Sequence, residues 1–317
     1  MELLFALSLV MFLAYANGAN DNFKGVATLY GCGLTNYRGA LGWATLTTVL
    51  GSLTALLLAT GLLATFSGKG LVPDSVVSLK IFSLSVAFAA AITVMLATRF
   101  GFPISTTHAL TGALVGAGFF ASSQGVNLIK LGSTFFLPLL LSPFLSFILA
   151  AFLYWVMSRL NKENSGWFNR LHFLSAGTVC FARALNDTPK IAAILLIGTE
   201  LTPRIAISFV ASGMALGGLI HSKKIAEMLS HRVTAMNETQ GLMGNLTTGF
   251  LVIFASHLGL PVSTTHVACG SLFGIGVFTR QAHFNIIGGI LLSWLITLPV
   301  AASLGALSFF TLSKLGF

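Results

Sequence analysis

Acidic residues are the scarcest chemistry in this chain. It has 8 Asp and Glu beside 17 Lys and Arg in 317 residues, so charged side chains amount to only 8%. An ordinary soluble domain carries roughly a quarter, and the shortfall excludes that class. Cysteine is almost absent: Cys32, Cys180 and Cys269 lack CxxC spacing, which rules out a disulfide scaffold and leaves them as small packing residues. No basic run and no aromatic-basic module accompanies the net charge of +9, so nucleic acid is not an expected partner. There is no P-loop, which argues against a nucleotide-driven pump.

Apolar surface is what the chain has in quantity, with 55% hydrophobic residues and a mean hydropathy of +0.90. Crossing a hydrocarbon core about 30 Å thick takes roughly 20 apolar residues as a helix, which makes this an all-α integral membrane protein. Apolar runs lie near residues 2–31, 39–66, 76–98, 103–121 and 132–158, then 171–198, 203–221, 239–257, 261–278 and 284–312. The first run follows Met1 and Glu2 without a cationic segment, so it is expected to be a retained helix and not a cleaved signal. Polar residues 159–170, including Lys162, Glu163 and Asn164, separate five segments from five.

Internal repetition supports that division. Pro103-Ile104-Ser105-Thr106-Thr107-His108 recurs as Pro261-Val262-Ser263-Thr264-Thr265-His266, shifted by 158, and Gly112, Gly116 and Gly118 recur as Gly270, Gly274 and Gly276. Asn20-Asp21-Asn22-Phe23-Lys24 is echoed by Asn186-Asp187-Thr188-Pro189-Lys190, shifted by 166. An odd number of crossings per copy inserts the second copy from the opposite side, so residues 1–158 and 171–317 are expected to be inverted-topology repeats. With the 159–170 linker cytoplasmic, Arg38, Arg99, Arg159, Lys162, Arg170, Lys223, Lys224, Arg232 and Arg280 fall inside. Lys69, Lys80, Lys130, Arg204 and Lys314 fall outside, as do both termini, with Lys24, Arg183 and Lys190 set aside as intramembrane. Re-entrant Pro-Ser-Thr-Thr-His segments would weaken that count.

Polar residues at membrane depth are costly, and they concentrate in the repeated motifs. Asp21 with Lys24 and Asp187 with Lys190 are spaced i, i+3 and can neutralise each other as structural ion pairs. Helix breakers beside them (Gly18, Gly25, Gly31 and Gly33, and Pro189) allow a second reading, in which unwound carbonyls join Asn20, Asp21, Asn186 and Asp187 around a coupling cation. Sodium is the metal considered, with Asp21 and Asp187 as its ligands. A Pro-led helix start bearing hydroxyls suits an oxyanion, so Ser105, Thr106, Thr107, Ser263, Thr264 and Thr265 are candidate anion ligands. The alternative is that these hydroxyls only cap helices. Arg183 either joins the anion with its fork of donors or snorkels to the interface. His108 and His266 lack ligand partners at metal spacing and read first as structural hydrogen-bonding groups. Ser105 and His108 lack an orienting acid, so no enzyme is expected. Gln240 or Asn245 can place an extra ligand in the second half only.

Taken together, Gly18-Ala19-Asn20-Asp21, Asn186-Asp187 and the two Pro-x-Ser-Thr-Thr-His segments resemble the inorganic phosphate transporter (PiT) family over about residues 17–276. The resemblance implies secondary active import of inorganic phosphate, or in some members sulfate, across the cytoplasmic membrane, driven by sodium or protons. It also implies that the Asn-Asp positions serve the coupling cation and the Ser-Thr-Thr positions the anion. Family signatures continue as Asn-Asp-x-x-Asn, whereas Lys24 and Lys190 stand at the last position here. Either these lysines replace bound sodium or they lie beside the anion and strengthen its binding. A passive anion channel is the reading of another class, disfavoured because such a pore would be lined with basic groups. No cofactor other than bound sodium is expected. Glycines such as Gly112, Gly116, Gly288 and Gly289 permit close helix contacts within the chain or in a homo-oligomer.

Overall fold

The structure is a computed structural model describing residues 2–159, 166–197, 199–231 and 237–316. Lys162, Glu163 and Asn164 of the expected linker, and Arg232 of the charge count, lie outside the described residues.

Every expected apolar run contains a long helix. The first five runs hold α1 (Glu2–Asp21) with a short α2 (Ala27–Gly31), α3 (Tyr37–Leu58) with α4 (Thr60–Thr65), and a one-turn α5 (Asp74–Val77) leading to α6 (Lys80–Phe100). They continue with α7 (Thr106–Ala121), then α8 (Leu128–Lys130), which passes through a π-helical segment (Leu131–Phe136) into α9 (Leu137–Arg159). The second five comprise α10 (Gly166–Leu196), α11 (Pro203–His221) with the short α12 (Lys223–His231), α13 (Glu238–His257), α14 (Thr264–Phe278) and α15 (Phe284–Lys314). Among the described residues there is no strand, only an isolated bridge between Lys69 and Val72.

Among the described residues, six helical stretches are long and apolar enough to cross a membrane: Glu2–Asp21, Tyr37–Leu58, Lys80–Phe100, Leu128–Arg159, Pro203–His221 and Ile287–Lys314. The helices that carry the hydroxyl motifs are different. At 1.5 Å per residue, α7 and α14, with 16 and 15 residues, extend about 24 and 22 Å, short of a bilayer core. Their first residues, Thr106 and Thr264, are buried, so both helices start inside the protein.

Packing repeats in pairs. Helix α1 lies against α6 and α11, as α10 lies against α13 and α3; α7 lies on α15, as α14 lies on α9. The fourth segment of each run of five thus packs on the fifth segment of the other. Repeated glycines make those contacts close: a Cβ on Gly116 would come 1.8 Å from the Ala302 carbonyl oxygen, and one on Gly274 2.2 Å from that of Phe147. Without a strong hydrophobic drive between helices in lipid, such backbone-to-backbone approach is how membrane helices gain van der Waals contact. Gly288 and Gly289 meet nothing within 4 Å. Alanines fill the centre, with Ala87, Ala89, Ala90 and Ala91 of α6 buried, while Leu140, Phe144, Ile148 and Phe152 of α9 point outward.

Candidate functional site

The two Asn-Asp motifs sit on α1 and α10, but their backbones differ. Helix α1 ends at Asp21, and a turn brings the Lys24 N–H to the Asp21 carbonyl at 3.2 Å. The expected break in the second half is absent, because α10 continues from Gly166 to Leu196 with Pro189 inside it. A single proline removes only its own N–H from the helix and can be carried when neighbouring helices support it. Where the first copy has Gly25, the second has Ile191, a residue that favours continuation.

Opposite these motifs stand the tips of α7 and α14. Ser105 Oγ accepts the His108 backbone N–H at 3.1 Å, and Ser263 Oγ accepts that of His266 at 3.2 Å, so both serines are N-caps. The helix starts are thereby fixed, and the Ile104 and Val262 carbonyls turn inward to meet the lysines.

Each lysine ammonium is held by three oxygens of the same three kinds. Lys24 Nζ donates to Asp21 Oδ1 at 2.5 Å, to the Ile104 carbonyl at 2.9 Å and to Thr265 Oγ1. Lys190 Nζ donates to Asp187 Oδ1 at 3.2 Å, to the Val262 carbonyl at 2.9 Å and to Thr107 Oγ1 at 2.6 Å. Each lysine takes its carboxylate and carbonyl from its own half and its hydroxyl from the other. The threonines complete the exchange: Thr107 Oγ1 donates to Val262 O at 3.1 Å, and Thr265 Oγ1 to Ile104 O at 2.7 Å. All of these side chains are buried.

Asn17 links the two carboxylates and was missed by the sequence reading. Its amide nitrogen lies 3.2 Å from Asp21 Oδ2, 3.1 Å from Asp187 Oδ2 and 3.0 Å from Thr106 Oγ1. Its orientation is set by Arg183, whose Nη1 donates to Asn17 Oδ1 at 2.8 Å. Arg183 does not snorkel; it is fully buried and also donates from Nη2 to Thr48 Oγ1 at 2.7 Å. The 166-residue shift places Arg183 at the position equivalent to Asn17, which is the signal that could have found the asparagine. Two carboxylates against Lys24, Lys190 and Arg183 leave one formal positive charge in the buried cluster.

The remaining expected residues divide. Asn20 braces the first tip, donating to Thr98 Oγ1 at 2.9 Å and the Phe102 carbonyl at 3.0 Å and accepting the Ile104 N–H at 3.1 Å. Asn186 donates to the Val262 carbonyl at 3.0 Å and to Thr264 Oγ1 at 3.4 Å. Thr106 Oγ1 lies 3.3 Å from Asp21 Oδ2. Gln240 and Asn245 do not join this cluster: Gln240 completes the capping box of α13 and bonds Gln281, while Asn245 donates to Thr28 Oγ1 at 2.9 Å. No group of three or more His, Cys, Asp or Glu stands ready for a metal among the described residues. A carboxylate, a backbone carbonyl and a threonine hydroxyl oxygen surround each of the two ammonium groups.

A model of the phosphate transporter family matches residues 17–305, an interval that includes both Asn-Asp motifs and both helix tips. The chain belongs to the phosphate transporter family. Among its relatives, the Rhizobium meliloti protein named "Probable low-affinity inorganic phosphate transporter" is 30% identical over 96% of this chain and 94% of its own length. A Bacillus subtilis protein of the same name is 26% identical over 99% of this chain and all of its own length. A solved structure described as "The sodium-dependent phosphate transporter" shares the fold, with a TM-score of 0.90 over the whole of both chains at 22% identity. This member of the family is therefore a membrane protein of transporter architecture, with its charged cluster enclosed between α1, α10 and the tips of α7 and α14.

Proposed function

We propose that this chain imports inorganic phosphate across the cytoplasmic membrane as a secondary active symporter, working by alternating access between two inverted repeats. The observation that carries the reading is the reciprocal exchange of hydroxyls, Thr265 to Lys24 and Thr107 to Lys190. Those two contacts tie the halves together at the centre, and both are bonds that an oxyanion can replace. An arriving phosphate takes the hydroxyls and the ammonium donors, relieves the excess positive charge and lets the tips of α7 and α14 shift.

The same cluster supports a view of the driving ion. A carboxylate oxygen, a backbone carbonyl and a threonine hydroxyl are hard ligands of the kind that hold sodium, and here Lys24 and Lys190 put a tethered ammonium among them. The lysines supply the positive charge a bound cation would bring, and coupling is to protons. Purified protein in proteoliposomes tests the function: labelled phosphate should accumulate above its external concentration under an imposed inward proton gradient. Flux that only dissipates the phosphate gradient would indicate a channel, and preferential uptake of sulfate would make the substrate sulfate.

A further inference from the structure

Directly behind the two tips lies a stack of three rings that the cluster above does not use. His108 and His266 occupy equivalent positions on α7 and α14, with ring centroids 4.5 Å apart, and His266 stacks on the Trp294 indole of α15 at 3.8 Å. Their relative exposures are 9%, 4% and 6%. His108 Nδ1, His266 Nε2 and Trp294 Nε1 have no hydrogen-bond partner among the described residues. Leaving a buried polar atom unpaired costs about 1–3 kcal/mol, so three of them in one stack call for a function.

The tautomer of His266 follows from its one partner. Its Nδ1 lies 3.3 Å from the Leu139 carbonyl, and since a carbonyl only accepts, Nδ1 carries the hydrogen. The neutral ring then presents a lone pair at Nε2, an acceptor with nothing to accept. Trp294 Nε1, by contrast, is only a donor. His266 immediately follows Thr265, the hydroxyl that holds Lys24.

Resting on the phosphate reading above, we propose that His266 Nε2 is the specificity-determining acceptor of the transport path, taking the O–H of a protonated oxyanion while Trp294 Nε1 donates to one of its oxygens. Phosphate and arsenate keep at least one proton at neutral pH and sulfate keeps none. The stack therefore favours the first two, which the hydroxyls and ammonium groups of the central cluster do not distinguish from sulfate.

Proteoliposome uptake of labelled phosphate and labelled sulfate, each with the other anion and arsenate as competitors, tests this on three variants. His266→Asn keeps a donor for Leu139 and removes the acceptor, so the phosphate-to-sulfate uptake ratio should fall roughly ten- to a hundredfold, the range for one hydrogen bond to a charged group. His266→Gln places an amide oxygen near Nε2 and should restore much of the preference. Trp294→Phe keeps the stacked area and removes only a donor, so both anions should lose equally. A phosphate-to-sulfate ratio that stays at the wild-type value in His266→Asn, however much total uptake changes, overturns the proposal and leaves the stack as packing. If His266→Asn fails to fold, undiminished uptake of both anions in Trp294→Phe overturns it equally. Wild-type protein that moves sulfate and not phosphate would refute the underlying function, a result separate from either.

Discussion

If Lys24 stands where a sodium ion would otherwise bind, shortening it to alanine should make the protein respond to sodium. The substitution removes an ammonium bonded to Asp21 Oδ1 at 2.5 Å, to the Ile104 carbonyl at 2.9 Å and to Thr265 Oγ1, and leaves those oxygens facing the space it filled. Breaking a buried ion pair by removing one partner costs about 3–5 kcal/mol. At about 2 °C per kcal/mol for a chain of this size, the Tm in choline buffer should fall by roughly 6–10 °C. A sodium ion entering the vacated oxygen cage restores RT ln(1 + [Na]/Kd), about 2.7 kcal/mol at a hundred times Kd, or roughly 5 °C. Thermal unfolding of wild type and Lys24→Ala in detergent, in matched choline and sodium buffers, reads both quantities. Sodium should stabilise only the variant. A wild-type protein stabilised by sodium to the same extent, or a variant that sodium does not affect, would refute the idea that the lysine stands where a cation belongs.

Asn17→Ala should lower the Tm and abolish phosphate uptake, because it strips a donor from both Asp21 Oδ2 and Asp187 Oδ2 and unpairs Arg183 Nη1; each group left unsatisfied costs about 1–3 kcal/mol, and uptake with a thermal shift checks both effects. Thr107→Val and Thr265→Val remove equivalent hydroxyls from Lys190 and Lys24 and should raise the phosphate KM to a similar degree, roughly tenfold each, in initial-rate assays. Gly116→Val should yield no monodisperse protein on size-exclusion chromatography, since its first side-chain carbon would already lie 1.8 Å from the Ala302 carbonyl oxygen, whereas Gly288→Ala meets nothing within 4 Å and should elute as wild type does.

The helical plan was legible because membrane helices leave long apolar runs, and proline, glycine and charge mark where they end. The tips of α7 and α14 were legible for a local reason: Pro, then Ser, then two Thr is a helix-start pattern, and Ser105 and Ser263 cap the way that pattern specifies. Long-range geometry was not written in the same way. Nothing local says that Lys24 takes its hydroxyl from Thr265 of the other half, or that Arg183 turns Asn17 toward both carboxylates. Asn17 is an amide in an apolar run, visible as costly, but its role exists only once α1, α7 and α10 meet. Pro189 misled in the opposite direction, since a residue that ends helices in water is tolerated inside α10, where surrounding helices hold the backbone in place.

The most direct test of the claim that Lys24 and Lys190 stand in for bound cations is phosphate accumulation in proteoliposomes free of sodium. With an inward proton gradient and only choline and potassium salts present, labelled phosphate should concentrate inside, and replacing choline by an inward sodium gradient at equal pH on both sides should add nothing. Accumulation that requires the sodium gradient and ignores the proton gradient would contradict the account.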